Sequence, residues 1–152
     1  MVKALYVANT FLKCGFNENI DISPMKLQKL IYILYKEYLQ STGKKLFEES
    51  FSVWKYGPVL VSVYNEFESY QSKPIKEFYF VSDQYMTVDF NSSDDFKAVF
   101  DNVWETYKNF DGVSLSALTH SEDTAWDKAR IRNDEYLLDL DILEEFSYEE
   151  RF

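Results

Sequence analysis

The sequence is poor in the residues from which small proteins build disulfide, metal and phosphate sites. Among 152 residues there is one cysteine, Cys14, and one histidine, His120. A single cysteine excludes an intramolecular disulfide and a thiolate metal site, which suits a reducing cytoplasm. The four glycines are isolated, so neither a phosphate-binding loop nor a dinucleotide fingerprint can be written. We therefore expect no cofactor and no metal.

Long apolar runs and an excess of positive charge are also missing. No uninterrupted apolar segment approaches the ~18 residues of a membrane span, and the N-terminus lacks the pattern of a signal peptide. The formal net charge is −10, a sign that repels phosphate backbones. We expect a cytoplasmic protein that binds neither membrane nor nucleic acid. A local basic patch would have to draw on Lys26, Lys29, Lys36, Lys44 and Lys45.

What the sequence does contain is aromatic side chains and enough length for a core. It has 13 Phe, 12 Tyr and 3 Trp, and 46% of its residues are hydrophobic. A chain of this size fits one domain and buries roughly two-thirds of its unfolded surface. The sequence therefore predicts a single compact domain over residues 1–152 that needs no metal or disulfide support.

The strongest helix start lies at Ser23 and Pro24. A serine can cap free backbone N–H groups, and a proline at the first helical position loses nothing by lacking its own. The apolar face that follows consists of Leu27, Leu30, Ile31, Leu34 and Tyr38. Lys29 lies off that face, so the pattern predicts an exposed side chain. Gly43 is the expected stop.

Before this helix the pattern predicts another helix over Val2–Lys13, with Gly15 as its C-cap. After it the pattern predicts one short strand. The strand is the alternating run Phe51–Tyr56, which is expected to end at Gly57. Pro58 is then expected to open a third helix.

Further along, two aromatic and β-branched runs predict a small hairpin, and several cap signals predict helices. The fold class is therefore mainly α, with about six or seven helices and a small β-hairpin or short strands. The segments concerned are the hairpin Phe78–Val81 with Tyr85–Val88, a helix begun by Ser93, short helices over Ser114–His120 and Thr124–Arg130, and a last helix capped by Asp141.

Two interpretations of His120 and Cys14 stay open. His120 could act as a general base with a nucleophile or nearby carboxylates, or its ring could bond a helix end and fix a turn. Cys14 could be a nucleophile or a small core residue. Trp54, Tyr56 and Trp126 likewise could anchor an interface, as Trp, Tyr and Arg side chains often do, or fill the core.

Several segments together resemble one known family. They are Met25-Lys26-Leu27-Gln28-Lys29-Leu30-Ile31-Tyr32, then Trp54-Lys55-Tyr56-Gly57-Pro58-Val59, then Tyr64, and then Leu118-Thr119-His120 with Trp126. Their order and spacing resemble the Panacea domain family, whose members are SocA-like, phage-associated and also labelled GepA-like. One departure is Ala125, which stands where the family often has a proline.

The resemblance implies an antitoxin that neutralises a cognate protein toxin by direct binding and is not an enzyme. The acidity suits a toxin with a basic surface. A second hypothesis is a phage-encoded inhibitor or a proteolytic adaptor that engages a host protein or protease, and a third is an enzyme using His120. The candidate partner-binding residues are Lys26, Lys29, Trp54, Tyr56, His120, Trp126 and Arg130.

Overall fold

The computed structural model describes all residues 1–152, which form seven α-helices and two antiparallel hairpins. The mainly α fold class is confirmed. The helices are α1 (Ala4–Glu18), α2 (Pro24–Thr42), α3 (Val61–Phe67), α4 (Asp94–Tyr107), α5 (Gly112–Thr119), α6 (Ala125–Arg132) and α7 (Asp139–Glu144). The strands are β1 (Ser52–Trp54), β2 (Gly57–Val59), β3 (Phe80–Val81) and β4 (Gln84–Tyr85). Short 3-10 turns lie at Glu68–Tyr70, Phe90–Ser92 and Tyr148–Arg151.

Helix α2 begins and ends as its sequence predicts. The side chain of Ser23 accepts a hydrogen bond from the backbone N–H of Lys26 at 3.2 Å, and Pro24 occupies the first turn. At the other end Gly43 adopts a left-handed conformation with φ of 72°, and its N–H bonds to the carbonyl of Leu39. Local signals are therefore sufficient to set both ends of α2.

The surroundings of α2 differ from the prediction, because other elements enclose it on almost every side. It contacts α1, α3, α4, α5, α7 and β2, and one apolar core of 33 buried residues surrounds it. Lys26, Gln28, Lys29 and Lys36 are consequently buried as well. The expectation that Lys29 is exposed is wrong, and the basic patch on this helix does not exist.

The β1–β2 hairpin corrects the expectation for Pro58. Strand β1 pairs with β2 in the register Ser52 with Val59 and Trp54 with Gly57, so the turn is at Lys55 and Tyr56 and not at the glycine. Pro58 lies in β2 opposite Val53, whose N–H instead donates to Glu135 on the outer side of β1. This position requires no N–H from the proline. Helix α3 therefore begins later, at Val61.

Helix α1 runs one turn further than expected, to Glu18, and Asn19 in a left-handed conformation follows it. Gly15 lies inside the helix and serves close packing. A Cβ atom at this position would lie 2.8 Å from the side chain of Ile22. The glycine is therefore explained by contact with the segment that leads into α2, and the predicted C-cap role is wrong.

The remaining elements follow their local signals only in part. Ser93 caps α4 by accepting from the N–H of Phe96 at 3.2 Å, and Thr124 caps α6. The second hairpin, β3–β4, is shorter than expected, and Asp141 lies within the first turn of α7, which begins at Asp139, so it is not its cap. None of the helices is both long and apolar enough to cross a membrane.

Candidate functional site

The β1–β2 hairpin is tied to α2 through two consecutive polar side chains of the helix. The amide of Gln28 donates to the carbonyl of Leu60 and accepts from its N–H, both at 2.9 Å. Lys29 donates from Nζ to the carbonyl of Pro58, also at 2.9 Å. These side chains replace the water that would otherwise bond the backbone just after the hairpin turn.

Two further helices hold the turn itself by its backbone carbonyls. The hydroxyl of Ser116 in α5 donates to the carbonyl of Tyr56 at 2.6 Å, and the indole of Trp126 in α6 donates to that of Trp54 at 2.7 Å. Since these bonds involve only backbone oxygens, the side chains of the turn remain available. Trp54 is 40% exposed and Tyr56 is 55% exposed. Three helices thus display two aromatic rings on a fixed backbone.

Beside this turn lies a mostly apolar groove of about 410 Å³. Its walls are the first turn of α2, the hairpin turn and α3. The ring of Tyr64 in α3 meets that of Trp54 edge to face, with centroids 4.8 Å apart. Such pairs favour a defined ring orientation. The side chains that line it include Met25, Trp54, Tyr56 and Tyr64, with the charged and exposed Lys55 and Glu68 at the rim.

Lys29 lies under the hairpin without an opposite charge beside it. The side chain is 2% exposed, and burial alone lowers its pKa to about 7. Gly57 provides the space above it, with φ of 118°. A Cβ atom there would lie 3.2 Å from Nζ of Lys29 and 3.1 Å from Oγ1 of Thr119. The Tyr-Gly-Pro sequence therefore lets the turn pass directly over a buried amine.

The ring of His120 fixes a turn, as the structural interpretation of this residue expects. Its Nδ1 is hydrogen-bonded to the backbone carbonyl of Ser116 one helical turn earlier. The ring also meets Trp126 edge to face at 5.3 Å. The neighbouring hydroxyl of Ser116 already donates its proton to the carbonyl of Tyr56. These groups are engaged in holding α5, α6 and the hairpin together.

Five of the predicted partner-binding residues meet at this hairpin, namely Lys29, Trp54, Tyr56, His120 and Trp126. Arg130 is beside them, because its guanidinium lies 5.7 Å from the Trp126 ring and pairs with Asp127 at 2.9 Å. Lys26 does not join the group, since its Nζ bonds to the carbonyl of Lys108. Of all seven, Trp54, Tyr56 and Arg130 are exposed.

Gln28 and Ser116 were not recognised as site residues from sequence. Gln28 lies in the Lys-Leu-Gln-Lys-Leu segment, so a signal was available, but nothing in the helical pattern assigns it a partner 32 residues away. Ser116 lies in a short helix without any distinguishing motif. Both act by positioning the hairpin.

Cys14 is half-buried against the core, and this burial raises the pKa of its thiol to about 11. A neutral thiol is a poor nucleophile, so the core interpretation of this residue fits its surroundings. No group of three or more His, Cys, Asp or Glu side chains is arranged to hold a metal ion.

A second buried polar centre, at Glu145, fastens the C-terminal segment. Its carboxylate accepts from the hydroxyls of Tyr32 and Tyr148 and from the backbone N–H of Ala125, the last at 2.6 Å. Burial raises the pKa of this carboxyl group. Proline lacks an N–H, so alanine at position 125 permits a hydrogen bond that a proline would remove.

The amino-acid sequence matches known proteins over most of its length. The family model described as "Antitoxin SocA-like, Panacea domain" matches residues 27–127. The chain belongs to this family. It is also 30% identical over 132 residues to antitoxin SocA of Caulobacter vibrioides (strain NA1000 / CB15N), an alignment that covers 83% of this chain and 69% of that protein. No solved structure matches the chain significantly.

The Panacea match extends from the first turn of α2 to the first turn of α6. It therefore contains the β1–β2 hairpin together with Gln28, Lys29, Ser116 and Trp126, the side chains that hold its backbone. The resemblance noted from the short sequence segments is confirmed at the level of the family. Within this Panacea chain, the short segments that carry the resemblance lie close together around the β1–β2 turn.

Proposed function

We propose that this protein is an antitoxin that neutralises a cognate protein toxin by binding it directly, without catalysing a reaction, in the cytoplasm. The observation that carries the proposal is membership of the SocA-like Panacea family. The β1–β2 turn supports the proposal, because exposed Trp and Tyr side chains on a fixed backbone are well suited to anchor a protein interface.

The charge of the chain favours a particular kind of toxin. A net charge of −10 attracts a partner with a basic surface and raises the rate of productive encounter. Ionic screening at physiological salt acts over about 8 Å, so this attraction weakens as salt is added. The proposed complex is therefore expected to associate more slowly at high salt, while its dissociation rate changes little.

The test is co-expression of the protein with the product of the neighbouring open reading frame. We expect growth arrest by that product alone, rescue by co-expression, and a complex that co-purifies and elutes as one species. Rescue without a detectable complex, in pull-down and in solution, would show that neutralisation is not by direct binding.

A further inference from the structure

We propose that the groove between the first turn of α2, the β1–β2 turn and α3 receives an apolar side chain of the cationic toxin, next to a basic residue that pairs with Glu68. This inference rests on the proposed function and adds the place and chemistry of contact. Exposed apolar side chains also occur on β3 and β4, but the groove combines a cavity, a fixed aromatic wall and a charged rim.

The rigidity of the wall is the first argument. Trp54 and Tyr56 project from a turn whose carbonyls accept hydrogen bonds from α5 and α6, and Tyr64 contacts the Trp54 ring. Side chains that are already oriented lose little conformational entropy on binding. Met25 and Gln28, which also line the groove, belong to α2, the helix that other elements contact on almost every side. An incoming side chain therefore meets a preformed surface.

The size of the groove is the second argument. A volume of about 410 Å³ is at the lower end of the range of roughly 300–1,000 Å³ for ligand pockets. It is large enough for an aromatic or branched aliphatic side chain of a protein partner. This geometry fits a protein partner that buries one anchor.

Charge selects the partner. The groove contains Lys29, Lys55 and Glu68. Burial lowers the pKa of Lys29 to about 7, so its amine contributes only part of a positive charge at neutral pH. The opposite charges of Lys55 and Glu68 then nearly cancel at the rim. At longer range the electrostatic field is set by the net charge of −10. An apolar anchor flanked by a Lys or Arg side chain complements this arrangement.

Surface plasmon resonance measures binding of the growth-arresting product of the neighbouring gene to the wild type and to five variants, four at apolar positions and Glu68→Lys at the rim. Trp54→Ala and Met25→Asp alter the groove, and Phe80→Ala and Met86→Asp are matched controls on the other hairpin, where both residues are exposed. Met25 lies in the first turn of α2, where an aspartate is favoured by the helix dipole, so the fold should tolerate it. Thermal unfolding by circular dichroism checks each variant.

We expect each groove variant to weaken binding about 30-fold or more, the loss typical of an interface hot spot, and each control to bind like the wild type. Glu68→Lys should slow association at low salt and leave dissociation nearly unchanged. If Met25→Asp unfolds, Tyr56→Ala replaces it, because that side chain is exposed.

Two negative results have different meanings. If the wild type binds the toxin and the folded groove variants bind the toxin as tightly as the wild type does, the toxin docks elsewhere and this inference is overturned. Neutralisation by direct binding would still stand. If the wild type rescues growth but forms no complex with the toxin encoded by the neighbouring gene, the proposed function is wrong. The groove inference is then wrong as well.

Discussion

Replacing Lys29 by methionine should change how the stability of the protein depends on pH. The amine is buried under the hairpin without a carboxylate partner, and its pKa of about 7 lies well below the ordinary lysine value of 10.5. Below pH 7 the side chain carries its proton in both the folded and the unfolded chain. Between pH 7 and 10.5 the unfolded chain binds more protons than the folded chain, so the free energy of unfolding must rise with pH.

The size of this effect follows from the position of the two pKa values. A full difference of one proton corresponds to about 1.36 kcal/mol for each pH unit. With half of the folded molecules already deprotonated at pH 7, the Lys29 contribution grows by about 1.6 kcal/mol between pH 7.0 and 8.5. Measurements should stop there, because the thiol of Cys14, with an ordinary pKa of 9.0, is mostly deprotonated in the unfolded chain at higher pH.

Urea denaturation of the wild type and of Lys29→Met at several pH values within this range provides the assay. The stability of the wild type relative to the variant should rise by about 1.6 kcal/mol from pH 7.0 to 8.5. Lys44→Met, which removes an exposed lysine, is the control and should leave the pH dependence unchanged. A difference in stability between wild type and Lys29→Met that stays constant over the range would refute a desolvated amine without an opposite charge at this position.

Four further predictions concern the same fold. Gln28→Leu should lower the free energy of unfolding by about 2–4 kcal/mol in urea titrations, because it leaves the buried N–H and carbonyl of Leu60 unpaired. Gly57→Ala should cost about 1–3 kcal/mol, since φ is 118° there and the new methyl group would crowd the amine below; unchanged thermal stability would argue against this. His120→Ala should keep toxin neutralisation in the growth assay as long as the packing of α5, α6 and the hairpin is preserved, and a variant that is fully folded but fails to neutralise would revive a chemical role for the imidazole. Cys14 should react with a thiol reagent only slowly in the folded protein and rapidly in urea, because burial raises the pKa of its thiol to about 11.

The parts of the fold that were predictable from sequence depend on neighbours along the chain. The start of α2 at Ser23, the start of α4 at Ser93 and the two short helices that follow depend on caps and on spacing within a few residues. The mainly α fold class follows from those signals. The family resemblance likewise needed only short segments in the right order.

The parts that were missed depend on residues far away in sequence. Whether Lys29 is exposed is decided by a hairpin that covers it, and no helical pattern contains that information. Pro58 fits both the start of a helix and a strand position that needs no backbone N–H. Which of the two it adopts depends on Glu135, whose carbonyl accepts the hydrogen bond from the N–H of Val53. Gly15 is explained by Ile22, whose side chain packs against it and leaves no space for a Cβ atom.

The candidate site also has a part that was predictable from the sequence and a part that was not. Trp54 and Tyr56 could be chosen as anchors from residue type alone, and the structure adds that both are exposed. The helices that hold their backbone could not be foreseen, because Ser116 and Trp126 reach the turn across 60 and 72 residues of chain.

The hydrogen bonds of α2 have a consequence for how the protein is made. Lys26 finds its acceptor 82 residues downstream, and Tyr32 finds the carboxylate of Glu145 after 113 residues. While the chain emerges from the ribosome, Gln28 and Lys29 can pair with the hairpin early, but Lys26 and Tyr32 stay unpaired until Lys108 and Glu145 have been made. Contacts of such long range slow folding. Newly made molecules should therefore pass through a period in which α2 is open to chaperones and proteases, and a truncation that removes Glu145 should prolong it.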